Sequence, residues 1–435
     1  MTSRFLLAFA AFLFAPVAAQ AALSPAEQRM IATVDAEQAR TIAMLEKWVN
    51  QNSGSHNLPG VEAVGRMVRA ELEPLGFQVR WIPLPQTGRA GHLVATHKGK
   101  PGRKRLLLIG HLDTVFETDS PFQRWVRKGD QGHGPGAADD KGGDAVMIAA
   151  LRAMHAAGTL RQANIEIVLT GDEEDSGTPL ALARADLVAA GKRADAALDF
   201  EGLAQDNGLD MGSIARRGVL DWTLKVSARS AHSSGVFSAS SGYGANYELA
   251  RIIDAFRREL IEDKLSYNVG LVAGGTTARL DQDEVRAEVT GKTNIIAAEA
   301  VARGDLRAIA QDQLDRATGK MRAIVAAALP GAKPEIDFGD GGYPPMPPTP
   351  GNQALLSRLN GVNRDLGLAE MAPLDPLKRG AGDISFVAAD VAGLVGLGAS
   401  SSGDHTADEA VDIPSIFKQA KRAAILMSRL AAERR

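Results

Sequence analysis

The sequence predicts an α/β fold with a mainly parallel central sheet, into which a smaller α+β unit is inserted. Strand and helix patterns alternate over roughly the first half of the chain, which is typical of a parallel sheet covered by helices. Around Gly212 the pattern changes to half-exposed strands with two helices. The 435 residues exceed what one ordinary core holds. One domain inserted into another fits these observations best.

The elements before the insertion begin with two helices. One long amphipathic helix is predicted over "PAEQRMIATVDAEQARTIAMLEKWVNQNSGS", and a second from about residue 61 to residue 75, before Gly76. Strands follow at "FQVRWIPL", "HLVATH" and "KRLLLIG", and the unbroken apolar run of the third predicts burial on both faces. "GGDAVMIAALRAMHAAG" predicts a helix, and "NIEIVLTG" and "ADAALDF" predict strands.

The predicted insertion contains strands at "GVLDWTLKVSARSAHSS", "LSYNVGLVAGG", "EVRAEVTGKTN" and "AVARGDLRA", and helices at "GYGANYELARIIDAFRREL" and "QDQLDRATGKMRAIVAAAL". The Gly- and Pro-rich "DFGDGGYPPMPPTPGN" predicts a linker back into the first domain, which ends in a helix from Ile413. We therefore predict a catalytic domain at 22–212 and 333–435, and an inserted domain at 213–332.

The first 21 residues have the pattern of a signal peptide. Arg4 supplies the positive charge, residues 5–14 are apolar, and Ala19, Gln20 and Ala21 form a small-residue cleavage site. The apolar run is shorter than the roughly 20 residues of a spanning helix. We expect export to the periplasm or the medium, and no membrane attachment after cleavage.

Composition excludes several classes of partner. The net charge of -3 offers no general attraction to nucleic acid or to an anionic membrane, and 5% aromatic residues disfavour stacking on single strands. The chain contains no cysteine, so a metal site would have to use His, Asp and Glu.

Potential metal ligands follow the predicted strands. His111 ends "KRLLLIGH", Glu173 and Glu174 follow "NIEIVLTGD", and Glu201 follows "ALDF". Asp139 and Asp140 lie behind the glycine-rich turn "GPGAADDKGG". Ligands in open α/β sheets bind at the carboxyl ends of strands, and crowded carboxylates repel unless cations lie between them. A His/Asp/Glu set suits Zn²⁺, and one shared carboxylate suits two such ions.

The motifs "GHLDTV", "GPGAADDKGG", "TGDEEDSG", "FEG", "AHSS" and "SSGDHTADE", in this order, resemble those of the M20 family of zinc metallopeptidases. The resemblance covers essentially the whole chain after the signal peptide. It implies a zinc-peptidase catalytic domain and an inserted, ferredoxin-like dimerisation and lid domain. It also implies two zinc ions, with ligands at His111, Asp139, Glu174, Glu201 and His405.

The same resemblance implies individual roles. Asp139 would bridge the ions, with a cis peptide before Asp140, and Asp113 would orient the imidazole of His111. Glu173 would be the general base that takes a proton from the attacking water. Asp199 remains a competing candidate for the ligand position assigned to Glu201.

In the inserted domain the resemblance implies substrate contacts from His232, Asn294 and Arg307. In the catalytic domain it implies a further substrate contact at Gly382 of "RGAGDIS". The histidine would polarise the scissile carbonyl in the neighbouring subunit of a homodimer, and Arg307 would grip a substrate carboxylate. Two departures border this pocket. Ala297 stands where the family often has proline, and Gly382 where it often has threonine.

The leading hypothesis is a di-zinc amidohydrolase that cleaves a peptide or N-acyl amide next to a free carboxylate. Within that class we expect a carboxypeptidase that releases a C-terminal amino acid such as glutamate, with an N-acyl-amino-acid hydrolase or a dipeptidase as alternatives. A non-catalytic metal- or peptide-binding relative is disfavoured by the presence of Glu173. A binuclear phosphoesterase is disfavoured because the metal-bearing motifs lack basic residues.

Overall fold

The structure, a computed structural model, describes residues 23–282, 284–339 and 342–435. The predicted signal peptide at residues 1–21 lies outside these ranges, so it stays a prediction. In the described ranges, every helix is too short or too polar to span a bilayer.

The helices are, in chain order, α1 Pro25–Ala36, α2 Gln38–Val49, α3 Leu58–Leu72, α4 Lys141–Ala156, α5 Leu180–Ala183, α6 Ala185–Gly191, α7 Ala245–Glu259, α8 Gln311–Ala326, α9 Pro350–Asp365 and α10 Ile413–Ala432. Ser24 caps α1 in a capping box with Glu27. The single long helix predicted at this end is divided at Glu37, whose backbone (φ -99°, ψ 12°) leaves helical geometry. The division lets α1 contact both α4 and α10 while α2 packs on α4.

The strands before the insertion are β1 Gln78–Pro83, β2 Gly91–His97, β3 Arg105–His111, β4 Val126–Lys128, β5 Gln131–His133, β6 Asn164–Thr170, β7 Ala196–Asp199, β8 Gln205–Asp206 and β9 Leu209–Asp210. Those after it begin with β10 Gly218–Ala228, β11 Ser266–Tyr267, β12 Leu271–Gly275, β13 Thr277–Leu280, β14 Ala287–Thr290, β15 Glu299–Ala308 and β16 Ala332–Asp337, and end with β17 Gly393–Leu394, β18 Ser401–Ser402 and β19 Ala410–Asp412.

The central sheet has the order β1-β2-β6-β3-β7-β17. Strands β6, β3, β7 and β17 run parallel, whereas β1 and β2 pair antiparallel at one edge. His111 at the end of β3 lies opposite Thr170 of β6, and Ile109, two residues earlier, lies opposite Asp199 of β7. The carboxyl ends of three neighbouring strands therefore meet at one edge, which confirms the predicted α/β class with a mainly parallel sheet.

Both faces of this sheet are covered. Leu106 and Leu108 of β3 belong to the large core formed with α4 and α10, whereas Leu107 and Ile109 belong to a second core that includes Leu187 of α6. All four β3 side chains are buried. Because successive side chains of a strand point to opposite faces, the continuous apolar run reflects burial on both sides.

A second sheet has the order β11-β15-β10-β16, and β12 also pairs with β15. Helices α7 and α8 pack on it through a separate core that includes Trp222, Phe256 and Met321. We call residues 218–337, which contain these elements, the inserted unit. The insertion predicted from the sequence ends at residue 332, but β16 pairs with β10 and extends this sheet to Asp337.

The two chain segments that connect the inserted unit to the central sheet run side by side. Arg216 and Met346 exchange main-chain hydrogen bonds of 3.0 and 2.9 Å, and the N–H of Val219 donates to the carbonyl of Tyr343 at 2.9 Å. Tyr343 and Met346 of the predicted proline-rich linker therefore lie beside the segment that enters the unit.

Candidate metal centre and active site

His111 lies at the carboxyl end of β3 with a buried imidazole. Its Nε2 is 2.9 Å from Oδ1 of Asp139, and its Nδ1 is 3.1 Å from the main-chain carbonyl of Asp113. The carbonyl fixes Nδ1 as the protonated nitrogen, so Nε2 is available as a ligand atom facing Asp139.

Asp139 presents its two carboxylate oxygens to two different histidines. Oδ1 faces His111, and Oδ2 lies 3.1 Å from Nε2 of His405. The loop that carries Asp139 is held by Glu409, whose Oε1 accepts hydrogen bonds from the main-chain N–H groups of Ala138 and Asp139 at 3.0 and 3.3 Å. The peptide between Asp139 and Asp140 is cis, as the resemblance implied.

Glu174 completes this cluster. Its Oε2 is 3.2 Å from Nε2 of His405, while its buried Oε1 has no hydrogen-bond partner among the described residues. One ligand atom each from His111, Asp139 and Glu174 lies within 4.8 Å of the others. The two oxygens of Asp139 thus face two histidines, and a buried oxygen of Glu174 lacks a partner beside them. This donor set fits divalent cations.

Glu201 has a different set of contacts. Its Oε2 is 2.6 Å from Nη1 of Arg216 and 3.6 Å from Nη2 of Arg379. Asp199, the competing candidate, accepts the main-chain N–H of Glu201 at 2.8 Å, and its other oxygen has no hydrogen-bond partner in the described part of the chain. Glu201 nonetheless lies close enough to Glu173 for its charge to raise the pKa of that side chain.

Asp113 has a broader role than the one the resemblance implied. Its carboxylate lies 3.5 Å from the imidazole of His111, so that contact is long. Its short bonds come from the hydroxyl of Ser55 at 2.6 Å and from the main-chain N–H groups of Glu173 and Glu174 at 3.0 and 3.1 Å. The carboxylate of Asp113 therefore positions the loop that carries the candidate base and a candidate ligand.

The electrostatics of the cluster reflect its crowded carboxylates. Burial, then the charges of Glu201, Asp383 and Glu174, raise the pKa of Glu173 well above its usual range. Burial raises the pKa of Glu174 to about 7, and hydrogen bonds to Asp139 and Glu174 raise the pKa of His405 to about 11. A carboxyl with a raised pKa suits a group that must accept a proton and return it near neutral pH.

The predicted substrate contacts of the inserted unit hydrogen-bond locally. The imidazole of His232 is exposed and bonds the hydroxyl of Ser234 at 2.8 Å, and the carbonyl of Asn294 accepts the N–H of Ser233. The guanidinium of Arg307 pairs with Asp305 at 2.6 Å and is partly exposed. These three residues do not contact the metal ligands in the described single chain.

Gly382, by contrast, lies beside the cluster. A Cβ atom at this position would come within 2.0 Å of Nη1 of Arg216 and 2.6 Å of Oε1 of Glu201. The contact explains why a glycine stands at this point of the loop, where a side chain would displace the ion pair.

A group of buried polar residues behind the Glu173 loop is not predicted by the sequence motifs. Arg184, which lies between α5 and α6, donates to Asp172 at 2.6 Å and to Asp383 at 2.8 Å. It also donates to the hydroxyl of Tyr343 at 2.9 Å. Asp172 and Asp383 each directly border a predicted site residue, which is a signal that could have found them. Arg184 and Tyr343 carry no such signal, because neither belongs to a motif or borders a predicted site residue.

The chain is similar to known proteins over most of its length. The family model described as "Peptidase family M20/M25/M40" matches residues 107–429. Carboxypeptidase G2 of Pseudomonas sp. (strain RS-16) is 29% identical over 310 residues, which cover 69% of this chain and 67% of the relative. Succinyl-diaminopimelate desuccinylase of Novosphingobium aromaticivorans is 28% identical over 292 residues, which cover 63% of this chain and 75% of the relative.

Solved structures show the same fold. A tripeptidase from Staphylococcus aureus has a TM-score of 0.69 at 18% identity and covers 91% of this chain and 99% of its own. A dinuclear metal binding peptidase from Bacillus subtilis has a TM-score of 0.63 at 14% identity, with coverage of 91% and 99%. The family match spans well over half of the chain and contains the whole ligand cluster, so this chain belongs to the M20/M25/M40 family and is a metallopeptidase or amidohydrolase.

Proposed function

We propose that this protein is an exported di-zinc hydrolase that cleaves an amide bond next to a free carboxylate, as a carboxypeptidase that releases a C-terminal amino acid such as glutamate. The observation that carries the proposal is Asp139, whose two oxygens face His111 and His405 beside the buried carboxyl of Glu173. The similarity to carboxypeptidase G2 supports the choice of a carboxypeptidase.

Two cation positions would share Asp139. His111 and Glu201 would hold one ion, with Asp199 as the alternative to Glu201, and His405 and Glu174 would hold the other. When bound, such ions polarise a carbonyl oxygen and lower the pKa of water to about 7. To join the first position, the carboxylate of Glu201 has to share its charge between the ion and Arg216.

Glu173 supplies the proton transfers. Its carboxylate takes a proton from the attacking water, and the resulting carboxyl returns it to the nitrogen of the leaving amine. Burial and neighbouring carboxylates raise its pKa, which makes it a better base than an exposed glutamate. Asp113 holds the N–H groups of Glu173 and Glu174, so one carboxylate keeps base and ligand in a fixed relation.

The remaining roles concern the substrate. Arg307 would exchange its pairing with Asp305 for a bidentate grip on the substrate carboxylate. His232, exposed in the single chain, would reach the scissile carbonyl in the partner subunit of a homodimer, with Asn294 beside it. The loop at Gly382 would contact the substrate backbone.

A second candidate is an N-acyl-amino-acid hydrolase, and a dipeptidase would use the same groups. The relatives include succinyl-diaminopimelate desuccinylases, whose name denotes removal of an acyl group. Both candidates need the same metal ligands and the same base, so they differ only in what lies on either side of the scissile amide.

A hydrolysis screen tests the proposal. Mature protein loaded with Zn²⁺ would be offered an N-acyl glutamate, N-acyl amino acids with other side chains, dipeptides and a simple phosphoester, with chelated protein as the control. We expect release of the C-terminal amino acid from substrates with a free carboxylate. Cleavage of the phosphoester alone, or equal cleavage of an amidated substrate, would contradict the proposal.

A further inference from the structure

Tyr343 lies in the segment that leaves the inserted unit, yet its side chain reaches the loop of the candidate base. Its hydroxyl donates to the main-chain carbonyl of Glu173 at 2.8 Å. The same oxygen accepts from Nη2 of Arg184 at 2.9 Å and lies 3.1 Å from the hydroxyl of Ser176, which must be the donor of that pair. Burial first, then the charge of Glu173, raises the pKa of Tyr343 well above its usual range, so the hydroxyl keeps its proton.

The position of this hydroxyl is fixed by a fully buried ion network. Arg184 bonds the carboxylates of Asp172 and Asp383, and Asp172 also contacts Nε2 of the buried His92 at 3.1 Å. The ring of Tyr343 packs against Phe386 with 4.9 Å between centroids. A buried charge with all its partners in place is costly to disturb, so the network provides a rigid base for the hydroxyl.

The main chain of Tyr343, which lies just after the inserted unit, pairs with the first strand of that unit. Its carbonyl accepts from the N–H of Val219, the second residue of β10, and Val219 in turn lies opposite Arg307 of β15. Residues directly opposite each other in antiparallel strands project to the same face of the sheet. The paired residues Arg307, Val219 and Tyr343 therefore form one row, which joins the residue expected to grip the substrate carboxylate to the tyrosine.

We propose that Tyr343 is a positioning residue for the general base: its hydroxyl holds the main chain of Glu173 while its main chain holds the edge of the inserted unit. This inference rests on the proposed function of Glu173. The role is distinct from that of Asp113, which holds the same loop through its N–H groups from the side of the central sheet. A change in the orientation of the inserted unit is thereby transmitted to the base through the side chain of Tyr343.

Tyr343→Phe tests the proposal because it removes the hydroxyl and keeps the ring on Phe386. In the zinc-loaded enzyme we expect kcat to fall about tenfold with little change in KM, since the loss affects the base and not the substrate grip. Tyr247→Phe is the matched control, because this exposed tyrosine of α7 packs its ring on Phe237. A parallel measurement of amide hydrogen exchange should show faster exchange over residues 172–177 in Tyr343→Phe and not in Tyr247→Phe.

The two readouts separate this inference from the proposed function. Wild-type protein that hydrolyses none of the offered amides would contradict the proposed function, and the exchange data alone would then decide whether Tyr343 anchors the loop. Unchanged exchange and unchanged kcat in Tyr343→Phe would overturn the inference. Should that variant fail to fold, Ser176→Ala removes one hydrogen bond to the hydroxyl of Tyr343. For this variant we expect about a threefold loss of kcat and faster amide exchange over the same residues. An unchanged Ser176→Ala enzyme would then reject the inference.

Discussion

The carboxylate of Glu201 lies 2.6 Å from the guanidinium of Arg216, although the same carboxylate is the candidate ligand of the first cation. Arg216 is buried and also lies 3.9 Å from Asp199. One arginine thus balances two acidic side chains at the edge of the cluster, and a metal ion would compete with it for one of them.

Arg216→Ala should therefore destabilise the metal-free protein more than the zinc-loaded protein. Without the guanidinium, Asp199 and Glu201 lose their nearest counter-ion and keep only the more distant Arg379, a loss of about 3 kcal/mol in the free energy of unfolding. A bound cation would neutralise part of that charge. Urea unfolding with and without zinc checks this, with Arg127→Ala on the exposed strand β4 as the control. Equal losses in both forms would show that Glu201 does not contact the metal.

Glu173→Gln should abolish turnover while the metal content stays unchanged. The amide keeps the shape of the side chain but cannot accept the proton, so we expect a loss of at least about a hundredfold in kcat. Elemental analysis of the purified variant gives the metal-to-protein ratio. A variant with normal turnover, or one that lost its metal together with its activity, would assign Glu173 to a different role.

His405→Ala should lower the metal content from two ions per chain toward one. His405 is the only histidine placed on the Oδ2 side of Asp139 among the described residues, so the second position loses its nitrogen ligand. The exposed His155 of α4 offers a matched control in His155→Ala. Metal content that is identical in both variants would contradict the assignment of His405.

Zinc affinity should rise with pH between about 6 and 8. A ligand must lose its proton before it binds a cation, and in the metal-free protein the pKa of Glu174 is raised to about 7 and that of His405 to about 11. Both groups therefore still hold protons over much of this range, and each displaced proton adds about tenfold in affinity per pH unit. Competition with a chromophoric chelator measures the affinity. An affinity independent of pH would mean that these side chains are already unprotonated.

Asp113→Asn should lower kcat about ten- to a hundredfold, the range found when groups that orient metal ligands are replaced. The amide can accept only one of the two N–H bonds from Glu173 and Glu174, because its NH₂ group would face the other donor. Ser55→Ala, which removes only the hydroxyl bond to Asp113, should have a smaller effect. Activity assays on both variants decide the order, and a larger loss in Ser55→Ala would contradict it.

The sequence predicts much of the site because the ligands are coupled to local pattern. His111 and Glu174 follow apolar strands directly, so recognising the strands also locates the edge at which these residues meet. His405 lies on no such strand, and only the motif resemblance identifies it. The apolar run of β3 also predicts the parallel sheet, because its side chains can be buried only if both faces of the sheet are covered.

Other features depend on contacts between distant segments, and no local pattern reports them. The bond from Tyr343 to Glu173 joins positions 170 residues apart, and that from Arg184 to Asp383 joins positions 199 apart. The long bond between Asp113 and His111 likewise depends on how the Glu173 loop returns to the sheet.

The paired segments at Arg216 and Met346 have a consequence for engineering. Because the chain leaves the central sheet and returns to it at neighbouring positions, a short turn between these two residues could replace everything in between. The truncated protein would keep every candidate metal ligand and lose both Arg307 and Tyr343. Under the proposed function, ion binding and substrate binding would thus be encoded on separable pieces of one polypeptide, and the inserted unit could be exchanged without touching the metal ligands.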